Sequence, residues 1–263
     1  MTSSFLRRLR RRWEPRGERE GPRFVYVSYH KCATQFAELV VRAVCEARQL
    51  RVATFDSRHP QVDSTELART DFLLLTDYSS AMIDLDTLSA RGVHAIRDPR
   101  DTLVSMYFSH RSSHPLNHEE IARDRAVLAG LDVEAGLHYL MEESQFFQRI
   151  VRELGTWDFE GRGYFETRFE RLTTVPAEEF AAMFEFLGLD VGLSELAAIL
   201  ERNRFSALQQ AWSANHPKTE GNHYRRGQPG DWRVHLVGGA RESFRERYGP
   251  LLVQLGYEAN LAW

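Results

Sequence analysis

The sequence lacks several things, and each absence excludes a class of protein. Two cysteines among 263 residues, Cys32 and Cys45, cannot supply the disulfide framework of a small secreted domain, so a reducing cytoplasm is the simplest compartment. Apolar runs such as Phe180–Phe184 and Leu196–Leu200 fall far short of the ~20 residues needed to cross a bilayer. The basic N-terminus is not followed by an apolar segment, so no secretory signal is expected. The phosphate-loop pattern GxxxxGK[ST] is missing. No internal repeat, low-complexity tract or clear domain boundary is visible.

What is present suits a single α/β domain. Hydrophobic residues make up 43% and charged residues 27%, ordinary for a water-facing globular chain. The net charge of −3 conceals an asymmetry. Residues 1–20 hold seven Arg against three Glu, a local +4 that leaves −7 for the remainder. A body this acidic is a poor nucleic-acid binder, and any anion it binds must be held by a few placed cations. Residues 1–22, containing SSFLRRLRRRW, read as a solvated basic tail or as an amphipathic arm making peripheral contact with anionic lipid. Residues 23–263 form the domain.

Phe24–Ser28 reads as a buried strand, and apolar positions from Phe36 to Ala47 follow helical spacing. Asp71–Thr76 is a strand with a continuous apolar centre, as in parallel sheets. Val93–Ile96 is a third and Gly163–Phe169 a fourth. Asp98, Pro99 and Asp101 suit the N-cap, first and third positions of a helix. Residues 119–153 are largely helical, and Pro176–Leu187 is a helix closed by Gly188. Alternating strands and helices predict βαβ units and a mainly parallel sheet. From Gln209 to Gly230 the composition is that of a loop, with helical patterns resuming after Trp232.

Three segments carry chemistry. In YHKCATQ, a turn from strand to helix aims free backbone N–H groups at an anion, while Lys31 adds a mobile charge and Thr34 a hydroxyl. In RDPRDTLVSMYF, the Arg97 fork and the Ser105 hydroxyl can hold a second phosphate. In YRRGQPGDW, Arg225 and Arg226 precede glycines that let backbone amides approach an anion.

These segments, in this order, resemble sulfotransferases of the cytosolic type, which use 3′-phosphoadenosine 5′-phosphosulfate (PAPS). YHKCATQF is similar to their 5′-phosphosulfate loop, IRDPRDTLVSMYF to their 3′-phosphate motif, and RRGQPGDW to their C-terminal Arg-Lys-Gly…Gly-Asp-Trp motif. RFERLTTVPAEEFAAMFEFLGL also resembles the strand and helix before that loop. The resemblance spans about Phe24 to Trp232 and implies a P-loop-like α/β fold. It implies that Lys31, Thr34 and the amides around Cys32 and Ala33 bind the phosphosulfate. Arg97, Ser105, Arg225, Arg226 and Gly227 would hold the 3′-phosphate, with Phe169 and Phe205 near the adenine. Cys32, Ala33 and Gln35 stand where Ser, Gly and Thr are common in the family, and Phe169 where tyrosine is frequent.

The implied reaction is in-line transfer of a sulfo group to a hydroxyl, or less readily an amine, releasing PAP, with no metal required. Many family members carry a histidine just beyond the strand that here is DFLLLT. This chain has Asp77 there, which either takes the acceptor's proton or merely begins a turn, with His30 and His110 in reserve. The acceptor, be it a small molecule, glycan, lipid or peptide tyrosine, would be read by loops such as Ser109–His118.

Other readings leave marks too. FLLLTD looks like a strand whose Asp77 could hold Mg²⁺ in a P-loop-like kinase or NTPase, and a PAP-binding module without turnover is a further alternative. A cysteine phosphatase built on Cys32 would need an arginine six positions on, where Glu38 stands. A zinc site from His110, His114 and His118 is interrupted by Pro115.

Overall fold

β-Branched and aromatic residues at 24–28 build the central strand, β1 (Phe24–Ser28), buried along its whole length. The computed structural model describes residues 21–59, 61–116, 118–215 and 224–263, and most of the basic tail lies outside them. Four more strands join: β2 (Val52–Phe55), β3 (Phe72–Leu75), β4 (Arg91–Ile96) and β5 (Phe165–Arg168). All neighbours run parallel in the order β2-β3-β1-β4-β5.

Alternation along β1 divides the core. Val25 and Val27 face one layer, with Leu73, Leu75, Leu103, Phe147 and Phe244. Phe24 and Tyr26 face the other, with Val40, Val44, Phe180 and Phe184. The first layer contains α3 (Pro99–Phe108), α5 (Val133–Glu142), α6 (Gln145–Thr156) and α12 (Gly238–Gln254). The second contains α1 (Thr34–Ala47), α8 (Pro176–Leu187) and α9 (Leu193–Arg202). Helices on both faces of a parallel sheet give a three-layer α/β domain. No helix among the described residues is long and apolar enough to cross a membrane.

Local signals placed most elements. Asp98 caps α3 by accepting from the Arg100 amide at 2.9 Å, with Pro99 as first helical residue. Gly188 closes α8 with φ 73°, a left-handed conformation that costs glycine nothing. The region 119–153 resolves into α4 (Glu119–Leu128), α5 and the start of α6. Two expectations need correction. β2 went unrecognised because VATF is only half-buried at an edge, where its four residues are too few to show alternation. The segment expected as loop from Gln209 is helical through Asn215, the end of α10 (Phe205–Asn215), because Leu208, Ala211 and Trp212 extend a helical pattern from Phe205. Residues 216–223 of that expected loop lie outside the described ones.

The chain leaves β1 for β2 and β3 on one side and then crosses back to β4 and β5 on the other. The β1/β4 boundary is therefore a topological switch point, where a crevice opens beyond the strand ends. Lys31 follows β1, Arg97 follows β4, Asp77 follows β3, and Phe169 begins α7 (Phe169–Thr174) directly after β5.

Candidate active site

A cavity of about 1210 Å³ lies above this switch point. Its floor is the turn joining β1 to α1. Lys31 and Ala33 both adopt left-handed backbone, with φ 69° and 56°. No side chain caps α1, so its first amides depend on a ligand or solvent. The Cys32 amide is already bonded to the Tyr29 carbonyl at 3.2 Å, and its side chain is buried away from the cavity. Thr34 lines the cavity while its hydroxyl donates to the same carbonyl at 3.2 Å. Ala33 and Gln35 also line it, and the Gln35 oxygen accepts from the Tyr224 hydroxyl across the mouth.

Cations gather at this end. The Arg97 guanidinium donates to the Lys31 carbonyl at 2.9 Å and lies over the Phe169 ring at 3.8 Å. Its Nε is buried without a partner among the described residues. The Lys31 ammonium donates to Ser109 Oγ at 3.1 Å. Burial, and then the nearby Arg97 and Arg225, lower its pKa to about 7. Arg225 packs over Phe108 at 4.1 Å. Arg225 and Arg226 both donate to the buried Asp231, whose pKa is lowered because their hydrogen bonds and charge outweigh its burial.

The loop carrying these arginines is braced from below. Asp101 accepts from the amides of Gly230 and Trp232, at 2.6 and 2.8 Å. Gly227 has φ 63°, and a Cβ there would sit 2.3 Å from the Phe205 ring. Only glycine allows so close a backbone approach. Ser105, Phe169, Phe205 and Gly227 all line the same cavity.

The other lobe is largely aromatic, lined by Phe146, Ile121 and Pro115 with His30, His114 and His118, and by Ser112 and Ser113. A π-helical turn, Ser109–Ser113, shapes it. Asp77 lies at its edge, paired with Arg149 at 3.3 Å. His110 is fully buried and does not line the cavity; it meets His30 through Nε2 at 3.0 Å. Among the described residues no group of His, Cys, Asp or Glu is arranged to hold a metal.

Several contributors escaped sequence reasoning: Arg149, Asp124 and the mouth of β2 with Asp56 and Arg58. Most act through contacts distant in sequence, for which no local pattern exists. Asp231 had a signal in the Gly-Asp-Trp run, Phe108 in the IRDPRDTLVSMYF run and Ser109 in the Ser109–His118 loop, but none of them had a role assigned.

A family model described as a sulfotransferase domain matches residues 22–256. The chain belongs to the sulfotransferase family. A structure of mouse sulfotransferase SULT7A1 complexed with PAP superposes with TM-score 0.69 at 18% identity, covering 91% of this chain and 88% of that one. Retinol dehydratase, in complex with androsterone and inactive cofactor PAP, gives 0.58 at 15% identity, covering 89% and 81%. A search of curated proteins finds no match. These neighbours share the fold; the family match makes this chain a sulfotransferase and displaces the kinase alternative.

Proposed function

We propose that this sulfotransferase uses PAPS as sulfo donor and passes the group to a hydroxyl on an apolar small molecule. The observation that carries this reading is that one cavity offers two separate cationic grips. Lys31 and the open end of α1 form one, while Arg97, Arg225 and Arg226 form the other beside Ser105 and Gly227. An adenosine phosphorylated at both its 3′ and 5′ oxygens needs such a division. Phe169, held under Arg97, and Phe205 offer faces for the adenine. The SULT7A1 and retinol dehydratase structures both contain PAP, the latter also in complex with androsterone.

In this scheme Lys31 offsets the charge that builds on the oxygen bridging sulfur and phosphorus as that bond breaks. The cations and α1 amides position the donor, and positioning with electrostatics supplies most of the acceleration. The acceptor binds in the Phe146 lobe, whose largely aromatic lining favours an apolar alcohol or phenol over a glycan. Both cysteines are buried free thiols, which suits a reducing cytoplasm.

Thermal unfolding with PAP, compared with ATP plus Mg²⁺, tests the donor. PAP at 100 times its Kd should stabilise the protein by about 2.7 kcal/mol, and stabilisation by the magnesium nucleotide alone would overturn the reading.

A further inference from the structure

His30 occupies an unusual place. It immediately precedes Lys31, and its ring forms part of the acceptor lobe, with ring centroids 5.0 Å from Phe146 and 5.1 Å from His114. Two parallel contacts tie this turn to the π-helical segment: Lys31 to Ser109, and His30 to His110. Behind them, His110 Nδ1 is 2.7 Å from Asp124 Oδ2. Asp124 is itself buried and receives further hydrogen bonds from Ser144 at 2.9 Å and Tyr139 at 3.0 Å.

With Asp124 ionised and both rings neutral, the donors and acceptors in this chain take a single order. Asp124 as a carboxylate can only accept, so His110 carries its proton on Nδ1. Neutral His110 then offers a lone pair at Nε2, and His30 must donate to it from its own Nε2. That places the lone pair of the His30 ring on Nδ1, its proton-accepting nitrogen. Burial lowers the pKa of His110, against the opposing pull of Asp124, which favours a neutral His110 at the start.

We infer that His30 is the general base of sulfo transfer, with His110 and Asp124 as positioning residues that fix its tautomer and share the proton's charge. As the acceptor oxygen bonds to sulfur, its O–H bond breaks and the proton goes to His30 Nδ1. The bond from sulfur to the bridging oxygen breaks, and its electron pair leaves with PAP. The proton on His30 Nε2 shifts to His110 Nε2, so the positive charge settles beside Asp124.

Asp77 is the competing base, since its Oδ1 is buried without a partner among the described residues. A proton there would break the 3.3 Å ion pair with Arg149, which would keep only the longer 3.5 Å pair with Glu120 among the described residues. The histidine chain delivers the charge to a carboxylate already in place. Asp77 then assists by its field, which raises the proton affinity of His110.

The inference rests on the sulfo-transfer reading, and its test separates the two. With PAPS as donor and 2-naphthol as probe acceptor, His30→Gln should lower kcat about 100-fold or more, with the Kd for PAP unchanged. His110→Gln and Asp124→Asn should cost on the order of 10-fold. Nitrogen-15 spectra of the histidine rings in the PAP complex should show His110 protonated on Nδ1 and His30 on Nε2, and Asp124→Asn should disturb that order. Wild-type kcat in His30→Gln, a large loss confined to Asp77→Asn, or a His110 proton on Nε2 would each overturn the inference. Failure of the wild type to bind PAP would instead count against the donor reading, and the ring spectra of the free protein would still decide the relay.

Discussion

Lys31 offers the sharpest quantitative test, because its charge state should follow the donor. In the free protein its pKa is lowered to about 7 by burial and then by Arg97 and Arg225. An anion bound at the turn supplies the missing counter-charge and should return the lysine toward its ordinary value of about 10.4. The bound state then holds a proton that the free state loses above pH 7, so affinity must fall as pH rises. With those two values, linkage predicts a drop in PAP affinity of about 50-fold between pH 7 and 9, and uptake of about 0.9 proton on binding at pH 8. The phosphates ionise mainly below this window, their second pKa being about 6. Titration calorimetry in buffers of different ionisation enthalpy measures both quantities. Lys31→Arg, which stays charged throughout, should flatten the pH dependence. A pH-independent wild-type Kd with no proton uptake would mean that Lys31 does not meet the donor's anion.

The remaining predictions probe the second grip. Arg97→Lys removes the guanidinium stack on Phe169 and the bond to the Lys31 carbonyl. It should weaken PAP binding about 10-fold, roughly one lost charge-assisted contact at 1.5 kcal/mol, as read by calorimetry. Gly227→Ala forces a Cβ against Phe205 at a left-handed residue and should raise the Kd for PAP about fivefold or more, at a cost of about 1 kcal/mol, and lower Tm by about 2–4 °C. Asp101→Ala leaves the Gly230 and Trp232 amides without their acceptor. It should cost about 2 kcal/mol, or about 4–8 °C in Tm, and loosen PAP binding as the arginine loop loses its brace. An unchanged Tm in Asp101→Ala would refute the bracing role.

Much of the donor end was legible because its instructions are local. A strand, a turn and a helix start at residues 24–36 locate Lys31 without tertiary knowledge. Asp98, Pro99 and Asp101 announce α3 and so fix Arg97 at a strand end. Gly227 and Gly230 mark backbone that other residues would strain. The acceptor end was not legible, for the opposite reason. Phe146 and Asp124 reach His30 and His110 from helices far along the chain, and no spacing rule connects residues 30, 110, 124 and 146. His110 illustrates the difference. Its residue type suggested proton transfer, but the sequence could not show that His30 covers it. Asp77 was located correctly at the mouth of β3, yet its partner Arg149 lies 72 positions away.

The split between legible and illegible halves has a physical basis. The donor presents phosphates, and phosphates are held by backbone amides, glycines and adjacent arginines, all of which leave compact signatures in sequence. An apolar acceptor is held by shape, which any helix can supply from any position. The base must serve both, standing next to the phosphosulfate grip yet facing the acceptor. A histidine one residue before Lys31 meets that condition through covalent connection alone. Asp77, by contrast, must be brought to the same point by the packing of β3 beside β1. Proton acceptance at His30, as inferred above, would keep donor activation and acceptor activation on one turn, so that they are positioned together.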